Sequence, residues 1–312
     1  VPEYDVLACV WWNGELVPWE DARPHFVSKG LQYAITVFEG VRAYSGPAGS
    51  AIFRLEDHTK RLLRSATLIG IDLNYSEEDM IEAQLRVVSE NGLEECYLRP
   101  TIFLGDGGPG LASAAKTHVG IAAWEWPAKA FADRPARMTI SSCKRLFPHE
   151  SLSRAKASAN YLAGRIALQE AFASGFDDAI LVDGDGFVSE ATTSNIFAVF
   201  GDEIVTPSLR SALDGITRDT VIQLLKETGV FVTERDISVE EMLGADEIFL
   251  TGTASEITPV SQIKDTALPG VDGPYTQFVQ TAYVRAAKGT AYQDFKWRTP
   301  YHAGMVAEPQ TY

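Results

Sequence analysis

Three tight-turn signals, each set between short runs of strand-forming residues, constrain this chain most. Asn13-Gly14 lies between residues 7–12 and 15–18. Asp183-Gly-Asp-Gly186 separates 179–182 from 187–190, and Gly201-Asp202 separates 195–200 from 203–206. Asn-Gly and Asp-Gly pairs tolerate the positive φ that a two-residue hairpin demands, so each signal predicts two antiparallel neighbours. Further strand-like runs fall at 36–44, 51–54, 96–104, 118–124, 231–236 and 247–250.

Helical patterns interrupt these strands. Residues 57–69 read as one helix. A second begins at Ser76, where Ser76-x-x-Asp79 resembles a capping box, and Met80, Ile81, Leu85 and Val88 recur at helical spacing before Gly92 ends it. Helices are also expected at 160–174, closed by Gly175, at 217–228, closed by Gly229, and after the Ser238-x-x-Glu241 cap. Hairpins mixed with separate helices predict an α+β fold and disfavour a doubly wound parallel sheet. At 312 residues the prior is two domains. The low-periodicity, proline-containing stretch 125–135 is the expected interdomain loop. It would divide a small N-terminal α+β domain (1–124) from a larger C-terminal one (136–312).

Charge and cysteines narrow the function classes. Forty-two acidic against 27 basic residues give a net charge of -15. Such a surface disfavours nucleic acid and anionic membranes as partners. The three cysteines, Cys9, Cys96 and Cys143, form neither a disulfide framework nor a metal-binding pair. No secretory leader pattern opens the sequence, and no apolar run approaches the ~20 residues of a membrane span. A cytoplasmic protein is the expectation. No metal-ligand spacing, GxGxxG, Walker loop or GxSxG occurs, so no metal site is expected.

Five segments could carry chemistry. Lys156 stands among small residues in Arg154-Ala-Lys156-Ala-Ser-Ala-Asn-Tyr161, just before a helix. Small neighbours leave room for a planar group, and partial desolvation favours the nucleophilic form of a lysine amine. Alone, a solvated lysine at a helix start is the better reading. Glu190 ends a strand before a run of small polar residues, where a carboxylate could face a ring nitrogen, although a surface glutamate is the simpler reading. Leu213-Asp-Gly215-Ile216-Thr217 opens a helix whose unpaired N–H groups would suit a phosphate. Thr251-Gly252-Thr253-Ala254 ends a strand in small residues that let backbone amides approach an anion. Arg61 lies on the 57–69 helix, where a guanidinium could hold phosphate bidentately.

In this order, the five segments resemble those of the fold-type IV pyridoxal-phosphate aminotransferases, over nearly the whole chain. Tyr33-x-x-x-Val-Phe38-Glu-Gly40-Val-Arg42-x-Tyr44 and Tyr97-Leu-Arg99-Pro100 resemble the branched-chain amino acid aminotransferases in particular. The resemblance implies that Lys156 carries pyridoxal 5'-phosphate as a Schiff base and moves the substrate proton. It implies that Tyr161 meets the cofactor's phenolic oxygen and Glu190 the pyridine nitrogen. Arg61, Ile216, Thr217, Gly252 and Thr253 would form the phosphate cup. Ser194, Asn195, Leu213 and Gly215 would complete the cofactor site.

Tyr33, Phe38, Gly40, Arg42, Tyr97, Arg99, Thr253 and Ala254 would bind substrate, with Tyr97 reaching in from a neighbouring subunit of a homodimer or larger homo-oligomer. Gly108-Pro-Gly-Leu111 resembles the family's flexible Gly-rich loop over the site. The implied reaction is a ping-pong transfer of an amine from leucine, isoleucine or valine to 2-oxoglutarate. Readings that keep the fold are an (R)-selective amine or D-amino acid transaminase and an aminodeoxychorismate lyase. A non-catalytic cofactor-binding protein is a further alternative. This chain departs from the family in Trp124-Glu-Trp-Pro-Ala-Lys129, where relatives often have Trp-Gly-Ala-Tyr. A lysine there is expected to alter side-chain preference. Ala157-Ser-Ala159 and the Ala-Thr-Thr-Ser run after Glu190 stand where relatives carry more glycine.

Overall fold

The computed structural model describes residues 7–127, 134–145 and 150–303, without the side chains of 150 and 151. Lys129 and most of the expected interdomain loop lie outside the described residues. The chain divides into two compact units, 1–128 with 286–312, and 129–285.

The first unit holds strands β1 (Cys9–Trp12), β2 (Glu15–Pro18), β3 (Thr36–Phe38), β4 (Val41–Tyr44), β5 (Ala51–Phe53), β6 (Cys96–Gly107) and β7 (Ala115–Glu125). Its helices are α1 (Lys29–Tyr33), α2 (Leu55–Leu68) and α3 (Glu77–Glu90). Asn13 and Gly14 both take positive φ, 51° and 109°, which joins β1 to β2 in the expected hairpin. The cap of α3 is reciprocal: the Asp79 N–H donates to Ser76 Oγ at 3.1 Å and the Ser76 N–H to Asp79 Oδ2 at 2.8 Å. The 36–44 stretch is not the single strand expected. It breaks at Glu39 and Gly40, because the Glu39 side chain turns into the core toward α2 and the Tyr97 ring packs where Gly40 lacks a side chain.

The second unit holds β8 (Ala136–Lys144), β9 (Asp178–Val182), β10 (Val188–Ala191), β11 (Asn195–Phe200), β12 (Glu203–Thr206), β13 (Val232–Glu234), β14 (Glu247–Gly252), β15 (Glu256–Ile263) and β16 (Thr266–Ala267). Its helices are α4 (Glu150–Ser153), α5 (Tyr161–Ala173), α6 (Ile216–Lys226), α7 (Val239–Met242) and α8 (Pro274–Lys288). The sheet runs β10-β9-β8-β15-β14-β11-β12-β13. The expected hairpins are antiparallel, whereas β8 pairs in parallel with both β9 and β15. The sheet is mixed, as the α+β class allows.

Ile180, Ile196, Ala198, Val205, Ile248 and Val260 fill one core. Phe197 and Phe249 face each other across β11 and β14 with stacked rings 4.9 Å apart. Such a pair adds about 0.5–1.5 kcal/mol beyond its buried area. Ala167 and Ala171 of α5 pack on Ala179 and Leu181 of β9.

The expected 136–312 domain differs at its end. Residues 286–303 belong with the first unit, where β17 (Arg298–Pro300) pairs antiparallel with β5. Aromatic packing anchors this return: Trp297 stacks on Phe295 and meets Phe53 edge-on. No helix among the described residues is long and apolar enough to cross a membrane.

Candidate active site

Lys156 sits half-buried between the buried Ala155 and Ala157, and its Nζ donates to Tyr161 Oη at 2.8 Å. The segment is held from below. The Asn160 amide donates to the carbonyls of Leu152 and Ala155, both at 2.9 Å. Small residues on both sides of Lys156 therefore lie on a fixed backbone, with the tyrosine opening α5 aimed at the amine.

Glu190 is 7% exposed and fully engaged. Its Oε1 lies 2.6 Å from Arg145 Nη2. Its Oε2 accepts the Leu213 N–H at 3.0 Å and the Asn195 amide at 3.4 Å. The same Asn195 amide donates to the Leu213 carbonyl at 2.9 Å. Arg145 also donates Nη1 to the Asn160 carbonyl at 3.0 Å and Nε to the Ser211 carbonyl at 3.2 Å. One guanidinium thus ties together the backbone next to Tyr161, the carboxylate of Glu190 and the segment entering α6. Sequence reasoning missed Arg145. A basic residue after a strand carries no motif, and its partners are far away along the chain.

Helix α6 opens at Ile216 with Gly215 as its N-cap and no side-chain capping bond, and Ile216 and Thr217 are buried. First-turn N–H groups without a side-chain cap suit an anion. Gly215 has φ −67°, so a tight turn is not the reason for glycine. The reason is space: a Cβ there would collide with Asn195 Oδ1. Thr253 and Ala254 lie in the turn that joins β14 to β15, and Gly252 is packed under Ser194 and Ser255, whose hydroxyls are 3.3 Å apart. Asn195 pairs with Thr251 across β11 and β14, which places the Asn195 and 251–254 positions at one end of the sheet.

The remaining expected residues lie in the first unit. Glu39 is 0% exposed and forks Arg61, with Nε to Oε1 at 2.6 Å and Nη2 to Oε2 at 2.9 Å; His58 Nδ1 is 2.7 Å from the same Oε2. Burial alone would raise the Glu39 carboxyl. The Arg61 and His58 charges and hydrogen bonds outweigh it and hold the group below the usual carboxylate range. Neither Glu39 nor His58 was assigned a part in the site from sequence. Both orient Arg61, and the spacing on α2 put His58 and Arg61 on one face.

Arg99 stacks over Phe38 at 4.7 Å and Tyr97 at 5.3 Å and donates Nη2 to Tyr97 Oη at 2.9 Å. Its buried Nε has no hydrogen-bond partner among the described residues. Arg99 also lines a cavity of about 550 Å³, whose wall includes Trp12, Trp19, Arg23, Thr101 and Phe103. A guanidinium placed so can accept a carboxylate. Tyr97 is 9% exposed, and its hydroxyl is held by Arg99 of its own chain. Gly40 is required beneath it, since a Cβ would collide with the Tyr97 hydroxyl. Arg42 is 1% exposed, donates to the Trp126 carbonyl at 3.1 Å and lies over the Tyr44 ring. Tyr33 is 44% exposed and donates to the Pro109 carbonyl at 2.8 Å. Among the described residues no group of His, Cys, Asp and Glu could hold a metal ion.

The profile of the family described as amino-transferase class IV matches residues 36–263. The branched-chain-amino-acid aminotransferase of Pseudomonas aeruginosa is 41% identical over 295 residues, covering 93% of this chain and 96% of the relative. The crystal structure of the Escherichia coli branched-chain amino acid aminotransferase superposes with a TM-score of 0.91 at 36% identity, covering 94% of this chain and 99% of that one. The T.th. branched-chain amino acid aminotransferase complexed with N-(5'-phosphopyridoxyl)-L-glutamate superposes with a TM-score of 0.88 at 36% identity, covering 95% and 98%. With a matching profile that spans most of the sequence and relatives alike over their full length, the chain belongs to the class IV aminotransferases.

Proposed function

We propose that this protein is a pyridoxal-phosphate-dependent transaminase that moves the amine of L-leucine, L-isoleucine or L-valine to 2-oxoglutarate in two half-reactions. The observation that carries the reading is the Lys156 amine held 2.8 Å from Tyr161 Oη, on the same arginine-tied frame that fixes Glu190. The names of the relatives support the substrate, and the phosphopyridoxyl-glutamate complex of one of them supports the cofactor and a glutamate partner.

The donor set fits that cofactor. Lys156 Nζ would hold its aldehyde carbon, Tyr161 its phenolic oxygen and the Glu190 carboxylate its ring nitrogen. The Ile216 and Thr217 amides, with Thr253, would take the phosphate. When bound, pyridoxal phosphate supplies a ring that stabilises negative charge at the Cα of an amino acid.

The protein's part is proton handling and orientation. Lys156 Nζ takes the Cα proton of the donor amino acid in the first half-reaction and delivers a proton to Cα of the new amino acid in the second, and the Tyr161 hydroxyl, as its acceptor, orients the amine for both transfers. Glu190 holds a negative charge fixed by Arg145 and by the Leu213 N–H, so it need not reorganise when positive charge faces it. Arg99, stacked on Phe38 and lining the cavity, would bind a carboxylate of the amino or oxo acid. In a homodimer, Tyr97 would present its ring to the neighbouring subunit's substrate while Arg99 holds its hydroxyl.

The test is amine transfer from L-leucine to 2-oxoglutarate, followed by chiral analysis, with D-leucine and a simple (R)-amine as rival donors. Glutamate formed from L-leucine supports the reading, and activity confined to the D- or (R)-donors would sink it. Release of pyruvate from aminodeoxychorismate with no acceptor present would favour the lyase.

A further inference from the structure

Lys29 opens α1 and is 1% exposed, which is unusual for a lysine. A buried ammonium must find acceptors for its three N–H groups. The acceptors of Lys29 among the described residues lie in the loop between β6 and β7. Its Nζ donates to the Gly110 carbonyl at 3.0 Å, the Leu111 carbonyl at 3.2 Å and Ser113 Oγ at 3.0 Å, and it also meets the Ser113 carbonyl. None of these acceptors carries a negative charge. The loop closes on itself through the same serine, whose hydroxyl lies 2.5 Å from the Gly108 carbonyl and 2.6 Å from the Gly110 carbonyl. From the other end of α1, Tyr33 Oη donates to the Pro109 carbonyl at 2.8 Å. A glycine-rich loop is thereby tied to α1 by one buried charge and one tyrosine hydroxyl.

We propose that Lys29 is a positioning residue that latches the 108–113 loop in the conformation needed to receive the amino and oxo acids. The inference rests on the proposed function and on the resemblance, which implies that this loop lies over the substrate site. Opening the loop would strip a buried ammonium of its acceptors. The loop therefore stays closed for the same reason that buried charges stay solvated, and Lys29 acts on substrate through the loop and not by contact. Loss of the latch should weaken substrate binding more than turnover, because Lys156, Tyr161 and Glu190 are untouched.

The test compares wild type with Lys29→Met, Lys29→Arg and Ser113→Ala. Ser113→Ala removes one acceptor at a half-exposed position, and so keeps the test readable should Lys29→Met fold poorly. Two quantities are measured on each cofactor-loaded enzyme: hydrogen exchange of the 106–116 amides, and KM and kcat for L-leucine and 2-oxoglutarate. Lys29→Met is expected to speed exchange in that peptide alone and to raise KM about tenfold, with kcat within about threefold. Ser113→Ala should move both in the same direction by less, and Lys29→Arg should restore part of the effect. Unchanged exchange would overturn the latch, and faster exchange with unchanged KM would overturn its link to substrate. A wild type that transfers no amine would overturn the reading of the site, while the exchange data would still judge whether Lys29 holds the loop.

Discussion

Arg145 Nη2 stands 2.6 Å from Glu190 Oε1, and the same guanidinium holds the carbonyls of Asn160 and Ser211. Both side chains are about 10% exposed, so neither charge can fall back on water. The carboxylate proposed to face the ring nitrogen is thus one end of a network that begins beside Tyr161.

Arg145→Met should leave Glu190 buried without its counter-charge. Removing one partner of a buried pair costs about 3–5 kcal/mol. Denaturant unfolding should show a loss of that size, and dialysis should strip pyridoxal phosphate from the variant faster than from wild type. Arg145→Lys should recover only part, because an ammonium cannot reach three acceptors in the fixed geometry of the guanidinium fork. A variant as stable as wild type would show that the pair is incidental.

Glu39→Gln tests the frame around Arg61. The neutral amide leaves the guanidinium buried without its charge partner, again at about 3–5 kcal/mol near neutral pH. The sign of the pH dependence follows from the lowered Glu39 carboxyl. A carboxyl held below its ordinary 4.5 in the folded state gives stability that is whole above that value and lost progressively as the pH falls below it. The stability gap between wild type and Glu39→Gln should therefore be widest at neutral pH and narrow under acid. Parallel curves down to acid pH would contradict the assignment.

Gly215→Ala drives a methyl group into Asn195 Oδ1. Overpacking of this kind costs about 1–3 kcal/mol, and it would shift the N-terminus of α6 that is proposed to hold the phosphate. The double variant Gly215→Ala with Asn195→Ala should be less destabilised than the two single losses added together, because the clash then has no partner. Strict additivity in a double-mutant cycle would show that the close approach is not what requires glycine.

The sequence reveals what is local. The Asn13-Gly14 hairpin, the Ser76–Asp79 box and the strands β11 and β12 follow from neighbours in the chain, and they lie where expected. Long-range pairing was not legible. Nothing near Arg298 announces that β17 will pair with β5, and nothing in 36–44 shows that Glu39 will leave the strand to meet Arg61. Motifs drew attention to Lys156, Tyr161 and Glu190, and the structure brings the Lys156 amine to the Tyr161 hydroxyl and buries Glu190. Arg145 and Lys29 escaped because each acts on residues distant in sequence, and their partners are mainly backbone carbonyls, which leave no mark on composition.

If Lys156 Nζ holds the cofactor, an absorption spectrum shows it most directly. The purified protein, loaded with pyridoxal phosphate and dialysed, should keep a band in the visible to near-ultraviolet region. L-leucine should bleach that band toward shorter wavelength, and 2-oxoglutarate should restore it. Lys156→Ala should lose the leucine response. A wild-type spectrum with no retained band, or a Lys156→Ala variant that responds to L-leucine as wild type does, would contradict the account.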